Sequence, residues 1–267
     1  MSQSTSVLLP LLAVANPFDS PLARRASSYA GWDSKALVAE NDEAPAPLLN
    51  FIHDSFRAHV LSPQFSCVAA KSAVQTGHYR IGEYGRMTSA AATAGLAFDL
   101  YHFIQESPLF DGDFCTFVAT FSDPIIQSED DFEQLLWTQL QMLNRRDASL
   151  HPWDPDVSND PDDPHFSFSF AEHGFFIVGM HPAASRFARR FAWPTMVFNL
   201  HHQFDTLRER GKFTRMQSVI RQREQQLQGS INQNLDDFGD RSEARQYSGR
   251  PVTEDWRCPF VAVNSNE

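Results

Sequence analysis

Residues 166–180 read Phe-Ser-Phe-Ser-Phe-Ala-Glu-His-Gly-Phe-Phe-Ile-Val-Gly-Met, and this stretch decides the fold class. Phe166, Phe168 and Phe170 alternate with serine, the two-residue period of a strand with one buried face. Ala171–Gly174 has turn composition, and Phe175–Gly179 is a second strand, so the two form a hairpin. Outward from it, Phe114–Phe121 and Thr195–Leu200 read as strands, Phe65–Ala70 as a short strand and Gly77–Gly85 as turn-rich. Helical spacing appears on Leu49, Ile52, Phe56 and Val60, and again over Ser89–Gln105. Ser128, followed three residues on by Asp131, gives a capping-box-like start to a helix carrying Phe132, Leu136, Leu140 and Leu143. A last helix spans Thr214–Gln228, with Gly229 as its C-cap. These elements interleave without a βαβ rhythm. The expectation is an α+β fold, a single mixed domain with antiparallel sheet elements packed by helices.

Residues 1–45, with Pro10, Pro17, Pro21, Pro45 and much Ser, read as an irregular N-terminal arm, and 46–267 as the working domain. The polar segment after Gly229 ends in Trp256-Arg-Cys-Pro-Phe260, too apolar for a solvated tail, so it is expected to be anchored and to close over the site.

A chain of 267 residues, 42% hydrophobic and 21% charged, can bury a core without disulfides or structural metals. The net charge of −11 argues against nucleic-acid partners, which need a basic face. No apolar run approaches the ~18 residues of a membrane span, so no membrane role is expected. Val7–Val14 has no basic residue ahead of it and is broken by Pro10, unlike a signal peptide. Cys67, Cys115 and Cys258 are too few and scattered for a disulfide framework or zinc knuckle, which suits a reducing cytoplasm. Twenty-three Phe residues suit either a large apolar cavity or simply an aromatic core.

Several chemistries are excluded by spacing. Gly77, Gly82 and Gly85 match no phosphate-binding loop, and neither G-x-S-x-G nor HExxH occurs. In the Asp-rich loop 151–164, Asp154 and Asp156 stand at calcium-loop positions one and three. Position six, however, is Asn159 and positions two and eight are Pro, so a solvated acidic turn is expected. Five of the ten His fall between 165 and 202: His165, His173, His181, His201 and His202. Gly179–Arg190 (GMHPAASRFARR) places His181 directly after a strand, then Pro182 and three Arg. Two readings of this segment stay open. One is a haem pocket, where iron takes an axial imidazole and the propionates take Arg; the other is a strand end followed by a basic helix start.

The order of several short motifs resembles that of the YqcI/YcgG family of haem proteins. They are Phe65-Ser-Cys67, Asp160–Pro164 (DPDDP), Phe175–Arg190, Phe198-Asn-Leu-His201 with Gln203-Phe204, Gly229-Ser230, Arg241–Arg250 (RSEARQYSGR) and Trp256–Phe260 (WRCPF). The resemblance implies a haem b enzyme that uses dioxygen or peroxide to N-hydroxylate a guanidino nitrogen. The implied substrate is L-arginine, giving N-omega-hydroxy-L-arginine in an antibiotic or toxin pathway, with an electron-donor protein as partner. It further implies His181 as axial ligand, as in the subgroup with His before Pro, since some relatives place a His where this chain has Ala183-Ala184-Ser185. His165 and His201 stay open as runners-up, and Cys67 and Cys258 because a thiolate favours O–O cleavage. Arg186, Arg189 or Arg190 is expected to pair with a propionate, with Arg250 of the YSGR segment as a further candidate. A guanidinium stays cationic and needs a carboxylate, for which Glu172 at the hairpin turn is the candidate. Two other function classes compete: a non-catalytic haem-binding or sensing protein, and a non-haem binding domain with structural His.

Overall fold

The computed structural model describes residues 15–39, 44–230 and 238–263; the Val7–Val14 stretch lies outside them. In chain order the elements are α1 (Pro21–Ala26), β1 (Ala30–Trp32), β2 (Leu37–Ala39), α2 (Pro47–Leu61), α3 (Val68–Thr76), β3 (Tyr79–Glu83), α4 (Ala90–Glu106), β4 (Thr116–Thr120), α5 (Glu129–Asp147), β5 (Phe168–Phe170), β6 (His173–Met180), β7 (Thr195–Leu200), α6 (His201–Glu209), α7 (Phe213–Gln228) and α8 (Ala244–Tyr247). The strands form one sheet in the order β2-β1-β3-β4-β7-β6-β5. Only β3 and β4 pair in parallel, with α4 as the crossover; all other pairs are antiparallel. The chain has an α+β fold.

The hairpin is tighter than its composition suggests. Phe170 pairs with His173, leaving the two-residue loop Ala171-Glu172. Both loop residues take positive φ, 48° and 64°, as a type I′ connection demands. Neither is Gly, so the loop is held by neighbours: Ala171 N–H donates to Asp147 Oδ2 at 2.9 Å, and His173 Nδ1 lies 2.6 Å from the Ala171 carbonyl. Helix α5 begins as its cap predicts, Ser128 Oγ accepting the Asp131 N–H at 3.1 Å. Three acidic residues in its first turn and Arg145 and Arg146 in its last complement the helix dipole.

Strand alternation divides the molecule into two layers. Phe175 and Ile177 of β6, with Met196, Phe198 and Leu200 of β7, pack on the face that carries α4 and α5. Val178 and Met180, with Val197, face the other way, toward α2 and α3. Gly179 lies on the α5 side, where a Cβ would meet Phe132 Cε1 at 2.5 Å and the Tyr247 carbonyl at 2.8 Å. That seat therefore admits only glycine without movement of the backbone.

Three expectations are corrected. Phe65–Ala70 is not a strand: Val68–Thr76 is helical, as its alanines favour, and ends at Gly77 in the left-handed conformation (φ 76°). The segment from Gly77 to Gly85 contains β3, with four of its five residues buried. The arm at 1–45 is not irregular in its described part, since residues 15–39 supply α1, β1 and β2, and β1 pairs with β3. Its serines, which suggest a loop, are instead donors to Asp99 of α4. Ser27 Oγ donates at 2.6 Å and Ser28 N–H at 2.8 Å, while Tyr84 OH donates to the same carboxylate at 2.7 Å. Beside them, Arg80 of β3 is paired with Glu106 of α4.

The C-terminal segment is anchored, as expected, but it packs on the α5 face and does not close over the cavity on the opposite face of the sheet, which neither Trp256 nor Phe260 lines. Phe260 is 2% exposed and sits among Trp137, Trp153, Phe166 and Phe168, with ring centroids 6.0–6.2 Å apart. Truncating such a ring leaves a cavity that neighbouring aromatics do not fill. Phe260→Ala is predicted to lower the unfolding free energy by about 3–5 kcal/mol, read from urea denaturation. An unchanged midpoint and slope would show that the anchor adds nothing to stability.

Candidate functional site

On the face of the sheet opposite α5, α2 and α3 pack against β3 and β4 but leave β6 and β7 partly uncovered, with α7 closing the far side. The result is a cavity of about 270 Å³. Its walls are largely apolar: Phe56 and Val60 from α2, Val178 and Val197 from the sheet, Met216 and Ile220 from α7. The chemistry-bearing side chains that reach it are Cys67, Cys115, Arg189, His201, Arg208, Glu224 and Glu243.

Strand parity decides which expected residues arrive there. His181 follows β6 at the parity of Phe175 and Ile177 and so lies on the α5 side. It is 1% exposed, stacks on Phe132 at 4.3 Å, and its Nδ1 has no partner among the described residues. Burial lowers its pKa to about 4. His201 follows β7 at the parity of Val197 and Asn199, both of which line the cavity, and lines it too. His165 is exposed beside Asp163, and Cys258 does not line the cavity.

The expected arginines separate as well. Arg189 reaches the cavity, but its guanidinium donates to the carbonyls of Gly179 (3.0 Å), Tyr247 (3.3 Å) and Gln246 (3.3 Å). Burial lowers its pKa to about 10, opposed by Glu224 and Cys67. Arg186 donates to the Ser230 carbonyl at 2.7 Å, and Arg190 to the carbonyls of Ala184 and Ser185. Arg250 is paired with Glu133, with Asp130 at 3.3 Å, away from the cavity. Glu172 is exposed at the hairpin tip and does not line it either. The four arginines, Glu172 and His181 are therefore not brought together.

His201 is buried, and its Nδ1 lies 3.3 Å from Asp205 Oδ2, one helical turn on. Burial lowers its pKa, keeping the ring neutral at pH 7. Cys67 directly precedes α3, where the nearby N–H groups of Ala69 and Ala70 favour its thiolate. Burial nevertheless raises the thiol pKa, with Arg189 opposing. Arg208 donates to Asp205 Oδ1 at 2.6 Å.

Glu243 was missed by sequence reasoning. It is 4% exposed, lines the cavity, and accepts hydrogen bonds from Ser167 Oγ (2.5 Å) and Tyr247 OH (2.6 Å), both on Oε1. Burial lifts its pKa from the ordinary 4.5 to about 8. Its signal lay in RSEARQYSGR, where a lone carboxylate stands beside Ala244 and Tyr247.

The model of the YqcI/YcgG family matches residues 56–261, from the cavity wall of α2 to the anchored tail. No curated protein and no solved structure matches the chain. Among the described residues, no helix is long and apolar enough to cross a membrane.

The raised pKa of Glu243 links its proton to folding. The unfolded chain releases this proton near pH 4.5 and the folded chain only near 8. Its contribution to stability is therefore whole below about pH 4.5 and is lost as pH rises toward 8. Glu243→Gln removes that loss. In thermal unfolding followed at several pH values, the variant should gain on the parent between about pH 5 and about pH 9. Parallel curves would show that Glu243 ionises in the folded protein as it does in the unfolded chain.

Proposed function

The chain belongs to the YqcI/YcgG family, and we propose that it is a haem-dependent N-hydroxylase acting on a guanidino nitrogen, with L-arginine as the substrate to test first. The cavity carries this reading: apolar walls, one buried neutral imidazole, one thiol at a helix start, and two arginines converge on it. That donor set suits haem, whose macrocycle wants apolar contact, whose iron wants an imidazole or thiolate, and whose propionates want cations. Haem held there would supply activation of dioxygen or peroxide.

The residues of the chain do the rest. His201 would hold the iron, because its ring is already neutral and Asp205 orients its Nδ1, leaving Nε2 as the ligating atom. Cys67 is the second donor; it must first lose a proton that burial makes it keep. Arg208, and Arg189 to the extent its carbonyl partners allow, would face the propionates. Phe56, Val60 and Val178 exclude water from the reacting nitrogen. A cytoplasmic setting and an electron-donor partner belong to the same proposal.

Purified protein titrated with hemin should develop a Soret band. His201→Ala should weaken uptake and move the band, His181→Ala should leave both unchanged, and a shift confined to Cys67→Ala would make the thiolate the ligand. Incubation of loaded protein with L-arginine, reductant and dioxygen, or with peroxide, should add one oxygen by mass spectrometry. A preparation that takes up no hemin would overturn the proposal, and haem uptake without oxygen transfer to any guanidine would replace it with a sensing role.

A further inference from the structure

Resting on that reading, we propose that Glu243 selects a cationic substrate: its open carboxylate oxygen receives an N–H of the ligand's guanidinium group. Both hydrogen bonds to Glu243 fall on Oε1, and Oε2 has no hydrogen-bond partner among the described residues. Oε2 is not one of the buried side-chain atoms sealed off without a partner, so it meets the open space of the cavity, where a ligand N–H can reach it and supply the missing hydrogen bond. The two oxygens differ in duty. Ser167, next to β5, and Tyr247, one turn along α8, fix the group through Oε1, so Oε2 is held in place for an incoming donor.

The other charged groups of the cavity have partners. Arg208 NH1 is committed to Asp205, Arg189 to three backbone carbonyls, and Glu224 has an interaction of its own and acts on Arg189. Glu243 is thus the carboxyl left to meet a ligand. Phe176, Phe204 and Phe238 line the same cavity; aromatic faces of this kind suit a flat, delocalised cation better than a compact ammonium. Without ligand, burial keeps Glu243 protonated at pH 7, so the cavity holds no uncompensated anion there. An arriving cation favours the ionised form and turns the contact into a charge-assisted hydrogen bond.

The test is calorimetric titration of the full chain with L-arginine, with agmatine, and with citrulline, which replaces the guanidinium by a neutral ureido group. The parent protein should prefer arginine to citrulline by about tenfold or more. Glu243→Gln should lose about tenfold or more in arginine and agmatine affinity and leave citrulline binding unchanged. Glu243→Asp, which keeps the charge with a shorter reach, should fall between and serves as the second variant if the glutamine protein does not fold. Equal affinity of parent and glutamine variant for arginine overturns the proposal. So does a parent that does not distinguish arginine from citrulline, or one that binds neither arginine nor agmatine. Hemin titration of the same proteins separates the two readings. Glu243-dependent arginine binding without haem uptake removes only the haem reading; haem uptake with Glu243-independent arginine binding removes only this one.

Discussion

A β-strand shows each side chain to one face of its sheet, and the two faces of this sheet have different work. The α5 face is a solid aromatic core in which Phe175, Phe198, Phe132 and Phe117 are fully buried. The opposite face is only part-filled and holds the cavity. Every candidate residue on β6 and β7 is sorted by this alternation before any other interaction acts. Because β6 and β7 are paired in register from Phe175–Leu200 to Met180–Thr195, His181 and His201 emerge at opposite ends of one antiparallel pair and on opposite faces. A one-residue slip of β6 would carry His181 to the cavity face, where His201 already lies, and bury Val178 where Ile177 now packs.

The short helix α8 connects the two faces. Tyr247 is buried in the aromatic core, stacked on Trp137 at 5.5 Å, and its hydroxyl accepts the Phe168 N–H at 3.0 Å. Glu243, one turn earlier, lines the cavity. Arg189 joins the end of β6 to the same helix by donating to the carbonyls of Gly179, Gln246 and Tyr247. The position of the cavity carboxyl is thus set by packing on the far side of the sheet, where Phe260 and Trp256 hold the chain after it.

Much of the fold is legible in the sequence wherever an element is long enough to show its period. The hairpin, α2, α4, α5, α7 and β7 all follow from spacing and caps. Phe65–Ala70 does not, because six apolar and small residues satisfy a strand and a helix equally. The arm is not legible either: Ser27 and Ser28 find their acceptor in Asp99, more than seventy residues away. The site was legible only in part. Proximity along the chain favoured Glu172 beside His173, whereas the cavity carboxyl comes from a segment about seventy residues further on. The parity that moves attention from His181 to His201 was present in Thr195–Leu200, but it discriminates only once it is known which face is hollow. Arg189 alone among the expected arginines reaches the cavity, because the turn after Pro182 folds back so that His181 N–H bonds the Arg189 carbonyl at 2.9 Å.

The sheet ends on both sides in strands of three residues, β2 and β5. Outermost strands expose unpaired backbone donors and acceptors, which recruit foreign strands and seed fibrils. Here each rim offers less than 12 Å of such backbone, at about 3.3 Å per residue, and the β5 rim continues directly into the Pro-rich loop before it. A chain so rich in Phe can therefore bury its aromatic load without presenting a template long enough for another molecule to extend.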